Sequence, residues 1–171
     1  LIIVKVLFFK NKKKFISDVI EKLYLYIKSQ ERNSQKFTYF YSSSCKKTTL
    51  YASAYACMSL KIIGKIKKDE SYLYEWKCFF DSFQSSSDGL FYDDNVDTLQ
   101  FRNSDWWGSR HLALHMICAY EDLGSMPRYP FYFLRQYYDD SFIKELKSYD
   151  WSSSKIGNTD IDNKIMNIGC L

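Results

Sequence analysis

His111 and His115 are the only two histidines of the chain and stand four positions apart. That spacing puts both imidazoles on one face of a helix. Cys118 and Asp122 extend the same face, so a polar row runs down a stretch whose other residues are nearly all apolar. Such a row destabilises a buried helix unless its groups are paired or wet. One reading is therefore a histidine that faces a cavity and carries a proton or donates a hydrogen bond, with Arg110 and the acids of the preceding loop close by. The other is that both rings are satisfied by packed neighbours. Zinc fits less well: Leu112 occupies the glutamate position of a His-Glu-x-x-His site, and spacing fixes no third ligand. No metal is expected.

Two further groups have spacings that suit chemistry. Asp93, Asp94 and Asp97 reproduce the Asp-Asp-x-x-Asp pattern that lets carboxylates share magnesium across phosphate oxygens. It sits in a loop, where a solvated acidic turn is the simpler explanation. Trp106 and Trp107 stand one turn before Arg110. Tryptophan faces stack on sugar rings and arginine holds carboxylates, which suits an acidic saccharide. The same pair can also act as a hydrophobic staple at a helix start.

The elements that must position these groups can be read from periodicity. Phe15, Val19, Leu23 and Tyr26 recur at helical spacing and predict an amphipathic helix over 15–30. Residues 1–9 fit either a short strand or the tail of a helix whose start has been lost. From Thr48 to Ile63 almost every residue is apolar or small, with Thr48 or Thr49 as N-cap and Gly64 as C-terminal stop, which predicts a helix buried on all sides. Leu73, Trp76, Phe80 and Phe83 then mark a half-exposed helix capped by Asp69. The order repeats: Ser104 or Asp105 can cap a mostly apolar helix ending at Leu123 and closed by Gly124. Pro127 and Pro130 lead from there into aromatic helical segments at 131–138 and 141–149. Laying Gly64 on Gly124 matches Ala54, Met58 and Ile63 with Leu114, Cys118 and Leu123. A third start, with Ile161, Ile165 and Ile168, lies in 159–171. Residues 1–44 thus form an N-terminal segment with one amphipathic helix, and 45–171 hold about two and a half helical-hairpin repeats. A fully apolar helix needs neighbouring pairs to cover it. An irregular helical bundle is the alternative.

Composition narrows the class. Fifteen tyrosines and thirteen phenylalanines against six glycines and two prolines favour long helices over a turn-rich sandwich. The net charge of +4 is spread thinly, with lysines at 10–14 and 61–68, and gives no case for nucleic acid. Five widely separated cysteines without a Cys-x-x-Cys pair point to reduced thiols and a cytoplasmic chain. Residues 1–9, apolar except for Lys5, are too few to span a bilayer. Because Leu1 is not an initiator methionine and the last helical pattern stops uncapped, further hairpins from the rest of a longer chain are expected.

The run Trp76, Phe79, Phe80, Phe83, Gln84, Asp88, Gly89 and Phe91 resembles the repeat of the α/α-toroid proteins of the terpenoid cyclase and prenyltransferase group. Phe91 stands where the cyclases usually place tryptophan. The resemblance covers 48–124 well and 127–171 loosely. It implies an all-α fold of antiparallel helical hairpins forming part of an α/α toroid, with an aromatic cavity for a small molecule. The expected activity is that of a toroid enzyme of this group, with His111, His115 and Arg110 as catalytic candidates and Trp106, Trp107, Asp93, Asp94 and Asp97 as substrate contacts. A carbohydrate-active toroid (lyase, epimerase or glycosidase) with a saccharide in the cavity, and a non-catalytic helical-repeat binding module, are the alternatives. The cofactor stays open.

Overall fold

A computed structural model describes residues 2–96, 108–138, 140–149, 151 and 161–171, with side chains from Lys12 onward. Described residues form helices α1 (Ile2–Ser29), α2 (Leu50–Ile62), α3 (Glu70–Asp81), α4 (Ser109–Asp122), α5 (Asp140–Ser148) and α6 (Ile161–Cys170), with a 3-10 helix at Tyr132–Tyr137 between α4 and α5. The fold is all-helical, and pairing between extended segments is limited to isolated bridges such as Gln84 with Phe91.

The two apolar helices predicted from the sequence are α2 and α4. Thr49 caps α2 by accepting from the Ala52 N–H, and Ala54, Cys57 and Leu60 are sealed from solvent. Both helices stop in the same way. Gly64 takes φ +67° and the Lys65 N–H donates to Leu60 O at 2.8 Å. Gly124 takes φ +64° and the Ser125 N–H donates to Tyr120 O at 2.9 Å. This is the left-handed C-terminal cap that glycine adopts without a Cβ penalty.

The helices lie side by side and run parallel. Tyr51 meets His111 and Tyr55 meets His115, each pair 60 residues apart, while Lys61 reaches the Asp122 carbonyl 61 residues on. Positions 60 residues apart therefore touch each other in register. On the far side of α4 lies α6.

α3 supplies the aromatic wall. Asp69 caps it, as its sequence predicts, by accepting from the Tyr72 N–H at 3.0 Å. Trp76 and Phe80 are fully buried. Phe37 lies 4.3 Å from the Trp76 ring, Tyr39 stacks on the same indole, and Phe80 packs on Tyr120. Tyr120 in turn donates from its hydroxyl to Asp81 at 2.6 Å.

The turn after α3 is tied to the segment that follows α4. Gln84 donates to Gly89 O and Tyr129 O, and its Oε1 accepts from the Tyr129 N–H. Asp88 accepts from the Leu90 N–H and the Tyr92 hydroxyl, and its carbonyl accepts from the Tyr132 N–H. Gly89, at φ +78°, passes so close to Pro130 that an added Cβ would lie 1.9 Å from its carbonyl oxygen. Buried Phe91 closes the turn from beneath, against Tyr120 and Phe131.

Three expectations are corrected. Residues 2–9 are helical and continuous with the next segment, so the strand alternative fails. The predicted apolar stripe of that helix is not its packed face: Phe15 is 68% exposed and Tyr26 56%, while Tyr24 and Ile27 reach the core. Among the described side chains of α1, it is the last turns, with Glu21, Tyr24 and Ile27, that reach the rest of the chain. The cap of α4 is Gly108, without a side-chain bond, and not Ser104 or Asp105, which lie outside the described residues.

Candidate functional site

The seam between α2 and α4 carries four polar rings in one chain of contacts. Tyr51 Oη lies 3.0 Å from His111 Nδ1 and 3.3 Å from the Gly108 carbonyl. His111 Nε2 and His115 Nε2 face each other at 3.4 Å, and His115 Nε2 lies 3.3 Å from Tyr55 Oη. Tyr51 and His111 are buried, whereas Tyr55 and His115 are half-buried. Steps of four residues on two parallel helices in register make this arrangement, since each step returns the side chain to the same seam.

Burial sets the charge state. Desolvation lowers the His111 pKa. Desolvation and the neighbouring His111 bring His115 down to about 4. Burial raises both tyrosines, with each helped by a nearby hydroxyl: Tyr55 for Tyr51 and Tyr41 for Tyr55. At neutral pH the rings are thus uncharged imidazoles beside intact phenols. Their protons fit two opposite arrangements. In one, Tyr51 donates to Gly108 O, His111 Nδ1–H donates to Tyr51, and His115 Nε2–H donates to His111 Nε2. In the other, Tyr51 donates to His111 Nδ1 and His111 Nε2–H donates to His115 Nε2. Each arrangement is built of neutral groups, and the two differ in the tautomer of both imidazoles.

Tyr55 also lines a groove. Together with Tyr26, Tyr39, Phe40, Tyr41 and Gln30 it borders a cleft of about 320 Å³ between α1, α2 and the loop joining them. The Tyr41 and Tyr55 rings stand edge to face there, with centroids 6.2 Å apart. Tyrosine is therefore the residue that connects the cleft to the histidines.

The other expected site residues separate. Arg110 lies over the Phe133 ring at 5.3 Å, toward the 3-10 helix and away from the α2 seam. The row expected below His115 divides as well: Cys118 is influenced by Cys170 of α6, and Asp122 accepts Lys61 through its backbone carbonyl. Asp93 is only 3% exposed, and its carboxylate accepts from the Leu50 N–H at 2.6 Å and the Asn95 N–H at 2.9 Å. It caps α2 from 43 residues away. Asp94 is exposed. Trp106, Trp107 and Asp97 lie outside the described residues. Among the described residues no three His, Cys, Asp or Glu side chains group closely enough to hold a metal ion.

Asp93 gives a direct test. Asp93→Ala should lower stability by about 1–2 kcal/mol, the usual loss for a helix cap that also leaves a backbone donor bare. A carboxylate kept only to bind magnesium would instead leave urea unfolding in chelator unchanged or improved.

Sequence reasoning missed Tyr51 and Tyr55, although the signal was present. The alignment that lays Gly64 on Gly124 also lays Tyr51 on His111 and Tyr55 on His115. No protein-family model, curated protein or solved structure matches the chain. Its function is therefore argued from the site.

Proposed function

We propose that the chain is part of an α/α-toroid enzyme that moves protons on a ligand held in the tyrosine-lined cleft, with Tyr55 at the ligand and His115, His111 and Tyr51 behind it. The observation that carries this reading is the unbroken contact from Tyr55 Oη through both histidines to Tyr51. The in-register stacking of α2 on α4, and the Gln84 to Tyr129 tie between units, support the toroid.

A saccharide is the favoured ligand. Tyrosine rings with their hydroxyls suit a sugar face, and the groove is open where Tyr26 and Tyr41 are exposed. The reaction class is β-elimination or epimerisation at a carbon beside a carboxylate. In elimination, Tyr55 hands its phenolic proton to His115 Nε2 and takes the carbon-bound proton, the electron pair forms the double bond, Tyr55 protonates the departing oxygen, and the proton on His115 returns to Tyr55. The raised tyrosine pKa restores the phenol at neutral pH. Diphosphate ionisation, the cyclase chemistry, is less well supported because Asp93 already serves as the cap of α2.

Incubation with a panel of uronate-containing polysaccharides should give the ultraviolet absorbance of a new carbon–carbon double bond, or epimerised product by NMR. Tyr55→Phe and His115→Gln should each remove turnover while moving the thermal midpoint by only a few degrees. Parent-like rates in both variants would reduce the seam to packing. Turnover of an isoprenyl diphosphate in place of uronates would transfer the reading to the cyclase type.

A further inference from the structure

A second, larger cleft lies between the end of α1, the loop that follows it, the end of α2 and the start of α3, with a volume of about 550 Å³. Its rim is cationic: Lys28, Arg32, Lys36, Lys65 and Lys67 line it against the single carboxylate of Glu31. None of Tyr51, Tyr55, His111 or His115 takes part, so the cleft is separate from the seam site.

We infer that this cleft is a binding site for a small polyphosphate anion, either inorganic or the tail of an organic phosphate.

Three observations support it. First, neither Arg32 nor Lys67 has an ion pair among the described residues, while Lys28, Lys36 and Lys65 pair with Glu31, Glu75 and Glu21. Those three pairs are partly exposed, and a multiply charged ligand can draw such lysines inward because exposed pairs are weak. Arginine and lysine on opposite walls provide planar and point-charge contacts to phosphate oxygens.

Second, the loop that carries Arg32 and Lys36 is fixed before any ligand arrives. Phe37 is the only non-glycine described residue with positive φ, at 65°. A bulky side chain is seldom held there unless its surroundings enforce it. Its ring is 4% exposed and clamped between Trp76 and Tyr72. The Arg32 N–H also donates to Thr38 O at 2.7 Å, closing the base of the loop. The strain is thus stored where the cations are displayed.

Third, the aromatic rings here are already covered by cations. Lys65 lies over Tyr24, Lys67 over Tyr72, and Lys36 over Phe37. The ring faces hold these ammonium groups close to the cleft. Because the ring faces are occupied, the site recognises charge and not a flat ring system, which favours phosphate groups over a base or a sugar face.

The probe is inorganic triphosphate, titrated calorimetrically into the full chain at low and at moderate salt. Binding should weaken as salt rises. The Arg32→Gln/Lys67→Gln double variant should bind about tenfold or more weakly, the loss expected for one or two charge-assisted bonds. Both residues are exposed, so its thermal midpoint should match the parent. The charge-retaining pair Arg32→Lys/Lys67→Arg should recover most of the affinity. Sulfate at equal ionic strength should not compete, which separates a polyphosphate site from general charge attraction. No binding by the parent at millimolar triphosphate, unchanged affinity in the double variant, or displacement by sulfate would each overturn the assignment. Because no seam residue is altered, these outcomes are independent of turnover in the tyrosine cleft.

Discussion

Gly89→Ala is expected to be the most damaging small substitution in the described chain, lowering stability by about 4 kcal/mol, near the upper end of single-residue effects. Two causes add. A left-handed backbone at φ +78° disfavours any Cβ by about 1–2 kcal/mol. The new methyl would also occupy the space of the Pro130 carbonyl oxygen, 1.9 Å away, and the obstacle is backbone that cannot rotate aside. Relief requires parting the turn from Tyr129 and Pro130, which breaks the two bonds that Gln84 makes to Tyr129. Gly64→Ala supplies the control, because Gly64 has φ +67° but no atom within 4 Å of an added Cβ. That variant should lose only the backbone part, about 1 kcal/mol. The two would be compared by urea unfolding at constant slope. Equal losses would show that the contact with Pro130 contributes nothing.

Acid should weaken the fold through His115, by an amount that a glutamine at the position removes. In the unfolded chain this ring protonates near the ordinary 6.5, and in the folded chain only near 4. Between those values the unfolded chain binds the extra proton. The stability His115 contributes is therefore complete above 6.5, declines as pH falls toward 4, and changes no further below it. Among the described residues the groups facing the ring are His111 on its own helix and Tyr51 and Tyr55 on α2, none of them an acid that could accept the new charge. After allowance for partial exposure, the contribution lost is about 2 kcal/mol. Unfolding of the parent and of His115→Gln, measured at pH 7.5 and 4.5, should differ by that much in pH dependence. Parallel curves would mean that the ring is hydrated enough to titrate normally. The same property bears on function, since a ring that stays neutral in its resting state can receive the proton of Tyr55.

What could be read from residues alone has a local cause. Helix α2 was legible because thirteen consecutive helical residues with hardly a charge, a threonine before them and a glycine after them leave little alternative. The Asp69 cap of α3 was legible for the same reason, because it is satisfied within three residues of sequence. The Gln84, Asp88, Gly89 and Phe91 turn showed its local bonds but not its ties to Tyr129, Pro130 and Phe131. The face of α1 was not legible. Periodicity shows that Phe15, Val19, Leu23 and Tyr26 share a side, but not whether another element covers it.

The site divides along the same line. Four-residue spacing alone placed His111 and His115 together on one face. It could not say what they meet, because their partners are 60 residues away and contact depends on two helices running parallel and in register. Asp93 gives the converse case. Its neighbours in sequence suggested a metal-binding triplet, and only packing brought the bare Leu50 N–H within 2.6 Å of its carboxylate. Residue pattern alone was enough for the two apolar helices, their glycine stops and the residues able to carry protons or charge. The tertiary structure alone decided which of those residues share a seam, because that depends on the register between helices.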